Sequence, residues 1–289
     1  MLYGLSTHLV LPQRLSPALL NSLASTGVQQ IEVFAARHHF DYTDRLAVRE
    51  IANWFRSNEM AASLHTPLYP PDESQEWSRH AAPSLNLIST SKNDRIDAMD
   101  EVKRALEAAE QIPFRYAVLH LGLGDETWNT RAIDDSLTAL EHLKAFAGPL
   151  GTQLLLENLN NAVATPAHLL EIVKVGHLDS IGFCLDLGHA HLMEPIPETS
   201  HSPGQSGIAQ AFSLFGDRLR ELHIHDNHGM RDEHLWPGEG EIDWSEVAKL
   251  SAAAKQPLVG VLEISHDFGH NLDAATDNVR TALDKLNAS

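Results

Sequence analysis

The chain has 289 residues, 43% of them hydrophobic, a length that fits one large core or two smaller ones. Its 39 acidic side chains outnumber 21 basic ones for a formal charge of −18, a field that repels polyanions and disfavours nucleic acid without excluding a local basic rim. The only cysteine, Cys184, excludes an internal disulfide and fits a reducing, cytoplasmic setting; the opening MLYGLSTHLVLPQ lacks a basic region before an apolar stretch, and no apolar run reaches the roughly 20 residues that span a bilayer, so neither secretion nor membrane insertion is expected.

In chain order, short runs rich in Val, Ile and Leu occupy 2–6, 30–34, 61–64, 116–121, 153–156, 181–185, 219–224 and 258–264, and read as eight strands. Segments of helical period lie between them. In 94–111, for example, Ile96, Met99, Val102, Ala105, Leu106 and Ala109 form one apolar stripe. Helix starts carry caps: Ser16 before Pro17, Thr165 before Pro166, and Asp243 with Glu246 three residues on in a capping-box pattern. Apolar strands alternating with amphipathic helices imply a parallel sheet covered on its faces, and eight such units close a barrel. The competing open, doubly wound sheet lacks its Gly-x-Gly-x-x-Gly after the first strand. The expected architecture is one α/β domain over 1–289, a (β/α)8 barrel.

Two connections exceed what a βα loop needs. The stretch 67–93 carries Pro67, Pro70, Pro71 and Pro83 and follows a strand bearing His65, which favours a substrate-covering role. The stretch 193–207, with Pro195, Pro197 and Pro203, reads equally as a variable surface insertion.

The chemistry is in the polar residues at the strand ends. His8, Glu32, His65, His120, Glu157, Asp186, His223 and Glu263 each fall at or just past the C-terminal end of one strand, the face on which barrel enzymes build active sites. Charges gathered there repel one another unless cations sit between them, so a divalent metal is the economical explanation. Asp186-Leu-Gly-His189 places two ligand-type side chains around a flexible glycine, and Asp232-Glu-His234 places two on one face of an extended segment.

In order along nearly the whole chain, SLHTP, SLNLIS, VLHLG, LLLENLNN, FCLDLGHAHL, LHIHDNHGMRDEHLWPGEGEIDW and VLEI resemble the xylose-isomerase-like barrel superfamily, which holds sugar isomerases and epimerases and the endonuclease IV family of abasic-site nucleases. By that resemblance Glu157, Asp186, His223 and Glu263 match the four ligands of the single metal site of the isomerases, where the two glutamates also act as acid and base. The endonuclease IV pattern adds His65, His120, His189, Asp232 and His234, with Glu157 bridging, to hold three zinc ions. Zinc suits this nitrogen- and carboxylate-rich set, and manganese suits the four-residue subset, so one to three ions are expected. His8, Glu32, Asn158, His225 and Arg231 are the candidate substrate contacts. Two departures stand out. Gly229 occupies the place of the epimerases' substrate arginine, with Arg231 two residues later. For phosphate positioning the rim offers only Arg37, Arg79, Lys92, Arg95 and Arg231.

The reading preferred from sequence is a metal-dependent sugar or sugar-phosphate isomerase or epimerase, with Glu157 and Glu263 moving the proton of an enediolate. The alternative is trinuclear phosphodiester hydrolysis on abasic DNA or a smaller phosphoester. A sugar-binding barrel with structural metal is a third reading, weakened because structural zinc sites need only about four ligands. A homodimer is carried as an open expectation, since no sequence feature identifies its face.

Overall fold

The structure, a computed structural model, describes residues 1–70, 83–193, 206–266, 268 and 271–288. Eight parallel strands close in sequential order into one barrel: β1 (Leu2–Ser6), β2 (Gln30–Phe34), β3 (Ala61–His65), β4 (Phe114–Leu119), β5 (Gln153–Glu157), β6 (Gly182–Asp186), β7 (Leu219–Ile224) and β8 (Val259–Leu262). Pairing of β1 with β8 closes the ring and rules out the open sheet. Around it stand α1 (Pro17–Ala24), α2 (Arg45–Asn58), α3 (Lys92–Glu107), α4 (Thr130–Ala147), α5 (Pro166–Val175), α6 (Leu187–Leu192), α7 (Gly207–Phe215), α8 (Trp244–Ala253) and α9 (Leu272–Ala288).

The strands are apolar because helices cover their outer side chains. Leu5, Ile31, Leu64 and Leu119 are fully buried, and each contributes about 1.5–3 kcal/mol. In α3 the stripe holds at Val102, Ala105 and Leu106, whereas Ile96 is exposed near the helix start. Ser16 and Thr165 cap α1 and α5 through side-chain bonds to Leu19 N and His168 N, both 3.3 Å. The capping box at α8 is only half formed. Asp243 accepts from the Ser245 and Glu246 amides, but the Glu246 carboxylate turns to the Ser206 hydroxyl at 2.7 Å, tying α8 to the start of α7.

The strand ends decide what reaches the rim. His65, Glu157 and Asp186 are the last residues of β3, β5 and β6, and His120 follows β4 directly, because β4 starts and ends two residues earlier than its apolar run suggests. β8 stops at Leu262, so Glu263 begins the loop while its amide still bonds Ile224 O at 3.1 Å. Glu32 departs from the expected pattern. It lies two residues inside β2, in register with Ser6 and Ser63, and so sits below the rim. Of the two long connections, 71–82 and 194–205 lie outside the described residues, and with them Arg79, the middle of the first expected loop and most of the second. No described helix is long and apolar enough to cross a membrane.

Candidate metal centre

Two short segments build the site beside the strand ends. Asp186 caps α6, its side chain accepting from His189 N at 2.6 Å. The pair expected around a flexible glycine is therefore held in the first turn of a helix, and Gly188 is there for space: a Cβ would fall 2.0 Å from His225 Cε1. Asp232 and His234 are carried by the loop after β7, which is organised by buried Asp226. Its carboxylate accepts from Gly238 N (2.8 Å), Ile242 N (3.1 Å) and Trp244 Nε1 (2.9 Å), and its backbone pairs with Leu235. The segment is not extended: His234 has φ 47°. Even so, His234 Nε2 comes within 3.1 Å of Asp232 Oδ2.

All nine expected ligands converge, in three groups whose donor atoms lie within 4.8 Å of one another: His65, His120 and Glu157; Glu157, Asp186, His223 and Glu263; and His189, Asp232 and His234 together with His225. Glu157 belongs to the first two. Its Oε2 is 3.0 Å from His120 Nε2, 3.3 Å from His223 Nδ1 and 3.7 Å from His65 Nε2, while Oε1 is 3.7 Å from His189 Nδ1. His65, Glu157, Asp186, His223 and Glu263 are buried.

The imidazoles share one design. One ring nitrogen is tied to a carbonyl or carboxylate: His65 Nδ1 to Thr66 O (3.0 Å), His189 Nδ1 to Asn158 O (2.9 Å), His234 Nδ1 to Glu263 O (2.8 Å) and His223 Nε2 to Glu32 (3.2 Å). The tie fixes the tautomer and aims the other nitrogen at a carboxylate, as in metal-binding histidines generally. Two acceptors face each other in every case, and only a proton or a cation between them makes that favourable. His223 Nδ1 lies 3.3 Å from both Glu157 and Glu263 yet is buried with no hydrogen-bond partner. With protons alone, burial opposes charging, but the facing carboxylates still push His189 and His223 well above the usual range and His234 up to about 9. Burial likewise favours protonation of Glu157 and Glu263, and His223 in both cases outweighs it, holding the two carboxyls well below the usual range. Donor chemistry, burial and the orphaned nitrogen all fit divalent metal.

Over this floor opens a cleft of about 410 Å3. Phe34, Leu68, Tyr69 and Pro83 form one wall with His8, while Gly122, Leu123, Gly124 and Leu159 form another. Phe34 stacks on His65 with centroids 4.4 Å apart.

Of the five residues expected to meet substrate, His8 alone lines the cleft. Glu32, Asn158 and His225 are buried beneath it, spent on holding other groups. Glu32 supports His223; Asn158 bonds both backbone groups of Asp186 at 2.9 Å, pinning β5 to β6; His225 Nε2 bonds the Asp186 carboxylate at 2.9 and 3.0 Å. Arg231 is exposed and pairs with Glu233 at 3.2 Å, Arg37 is bound to Glu101, and Arg95 to Asp135. Among the described residues no Lys or Arg lines the cleft.

Sequence reading missed the layer under His223. Glu221 accepts from Gln30 Nε2 (2.8 Å) and Ser63 Oγ (3.2 Å) across the barrel, and burial beside Glu32 pushes its carboxyl up to about 8. The signal was the two-residue period of Glu221 and His223 on β7 and of Gln30 and Glu32 on β2. Cys184 is buried there too, grouped with Glu157 and His223.

Residues 20–287 match the family model of xylose isomerase-like TIM barrels. The chain belongs to that family. Its relatives fall on both sides of the functional divide. It is 30% identical over 175 residues, 57% of each chain, to the uncharacterised protein MJ1311 of Methanocaldococcus jannaschii, so the match spans just over half of that relative's length. It is 26% identical over 217 residues to a probable endonuclease 4 of Haloquadratum walsbyi, covering 71% of this chain and 75% of the other. It is also 26% identical over 237 residues to fructoselysine 3-epimerase of Escherichia coli, covering 77% and 76%. Among solved structures, a D-tagatose 3-epimerase-like protein superposes with a TM-score of 0.74 at 22% identity, covering 100% of this chain and 99% of the other. The IOLI protein with a bound zinc atom does so at 0.75 and 17%, covering 99% and 98%. At these identities the superpositions speak to fold.

Proposed function

We propose that the chain is a divalent-metal-dependent hydrolase of small phosphoesters, with zinc as the metal its donor set suits best. The observation that carries this reading is the meeting of nine donors in three groups, two of them joined at Glu157. One-metal enediolate chemistry uses four of those donors and leaves His65, His120, His189, Asp232 and His234 without a purpose as ligands. Both oxygens of Glu157 are faced by imidazoles, Oε2 by His120 at 3.0 Å and His223 at 3.3 Å and Oε1 by His189 at 3.7 Å, as suits a donor shared between groups. Sugar isomerisation or epimerisation, preferred from sequence, keeps the support of the match to fructoselysine 3-epimerase.

Divalent ions in such a site supply Lewis acidity toward phosphoryl oxygens and make a bound water acidic enough to be a nucleophile. The chain's own residues do the rest. Glu157 would be the shared ligand, Asp186, His223 and Glu263 would complete the deep group, and Glu32 and Asn158 would keep His223 and Asp186 in place. Phe34, Leu68 and Tyr69 would shield one flank of the substrate from water. His8, whose imidazole burial pulls down to about 4, stays neutral at pH 7 and donates from Nδ1 to Ile264 O, leaving Nε2 as an acceptor. A cleft of about 410 Å3 without described cations suits a sugar- or nucleotide-sized phosphoester better than a duplex.

Sugar isomerisation or epimerisation is the second reading, favoured by the compact Glu157, Asp186, His223 and Glu263 group and by the match to fructoselysine 3-epimerase. One experiment separates the two. The zinc-loaded chain is incubated with small sugar phosphomonoesters and phosphodiesters, with an abasic duplex, and with ketoses in deuterated water. Phosphoester cleavage lost in Glu157→Gln is the expected result. Deuterium entering a ketose without any phosphoester turnover would overturn the proposal in favour of the second reading.

A further inference from the structure

Nine donors follow from the family resemblance, and His225 adds another nitrogen in the same place. Resting on the metal reading above, we infer that His225 closes the third donor group, so that His189, His225, Asp232 and His234 hold their ion with four protein donors and leave no position on it for substrate.

The tautomer comes first. His225 Nε2 is 2.9 and 3.0 Å from the two Asp186 carboxylate oxygens, so Nε2–H donates and Nδ1 carries the lone pair. Nδ1 is buried without a hydrogen-bond partner and lies 3.8 Å from Asp232 Oδ1. A lone pair and a carboxylate oxygen thus face each other in a dry place, which is unfavourable unless a cation joins them. The other Asp232 oxygen faces His189 Nε2 at 3.2 Å and His234 Nε2 at 3.1 Å, and all four donor atoms fall within 4.8 Å of one another.

The ring is also fixed in place. His225 stacks on His234 with centroids 3.8 Å apart and planes 15° from parallel, while on the Gly188 side a single added Cβ would lie 2.4 Å from Nδ1. The glycine of DLGH gives the imidazole its room, and Asn227 fastens that turn by donating to Gly188 O at 3.0 Å. Four protein donors are what closed zinc sites use, whereas three leave a position for water or substrate. Substrate contact is then left to the groups that share Glu157, above all the three-donor group of His65, His120 and Glu157.

Cobalt is the probe for the test. In full-length chain carrying Glu157→Ala and His223→Ala, the first two groups keep two donors each, too few for a stable site, and cobalt reports on the third. The expected visible spectrum is the intense one of four-coordinate cobalt, and adding His225→Ala, which puts water in place of a nitrogen donor, should shift its bands and weaken binding. Affinity should fall by more than about 100-fold, beyond the 10–100-fold that loss of a supporting contact costs. An unchanged spectrum and affinity would overturn the inference and leave His225 as a positioning residue for Asp186, which is outside this group. Failure of the unvaried chain to bind cobalt at all would instead overturn the metal reading. Should the variants not fold, as judged by circular dichroism, zinc-loaded crystals of the unvaried chain decide. An ion about 2.0–2.1 Å from His225 Nδ1 supports four donors, and one held by the other three residues with Nδ1 beyond about 3 Å refutes them.

Discussion

Gly188→Ala is the smallest change with a large expected effect. The new Cβ would lie 2.0 Å from His225 Cε1 and 2.4 Å from Nδ1. Carbon atoms settle at about 3.5–4.0 Å, so the ring must retreat by about 1.5 Å. It cannot do so and keep its 2.9 Å contact to Asp186 or its stacking on His234. Overpacking costs about 1–3 kcal/mol and a lost bond to a charged group about 1.5–3 kcal/mol, against which alanine returns up to about 1 kcal/mol of helix propensity in α6. The net expectation is about 2–5 kcal/mol, a fall in Tm of roughly 4–15 °C for a chain of this size. Thermal unfolding with and without zinc, together with metal content, measures it. Gly148→Ala is the control, because nothing lies within 4 Å of its Cβ position and its φ is −54°. If Gly188→Ala matched Gly148→Ala in both Tm and metal content, the packing argument for His225 would be refuted.

Other expectations follow from the same geometry. Glu157→Gln should remove at least one ion per chain and lower turnover by more than about 100-fold, read by elemental analysis and initial rates; full metal content would contradict a shared ligand. Chelation should lower Tm, since an ion at 100 times its Kd adds about 2.7 kcal/mol, and zinc should restore it. Away from the site, buried Glu101 accepts from Arg37 (both bonds 2.7 Å), Arg104 (2.9 Å) and Tyr42. Burial alone would raise its pKa, but Arg37 and Tyr42 hold it below the usual value. A carboxyl more acidic folded than unfolded stabilises the fold above about pH 4.3, and that contribution disappears as pH falls through the folded value. Arg37→Met should cost about 1.5–3 kcal/mol at pH 7 by urea unfolding, with the gap to the unvaried chain closing in acid.

The alternation of apolar runs and amphipathic stretches was enough to give the eight strands, because a closed parallel barrel buries every strand on both sides. The convergence of candidate donors was partly legible for a related reason: parallel strands deliver their last residues to one rim, so His65, Glu157 and Asp186 had to meet, whereas His189, Asp232 and His234 come from the segments that follow the strands. What surrounds them was less legible. Glu32, Asn158 and His225 look in sequence like rim residues open to substrate, and only the register across strands shows them turned beneath the floor to hold His223 and Asp186. Gly188 reads as flexibility until the ring it makes room for is seen, and Glu246 reads as half of a capping box until Ser206 arrives from another helix. Such contacts join residues far apart in the chain, where no local pattern records them.

Three donor groups at the C-terminal rim of the barrel imply that the folded chain takes up metal there. Zinc titration of chelator-treated chain, followed by elemental analysis after dialysis, tests it most directly. About three ions per chain are expected, and fewer in Glu157→Gln. Absence of bound zinc at every concentration tried, in a chain that remains folded, would contradict it.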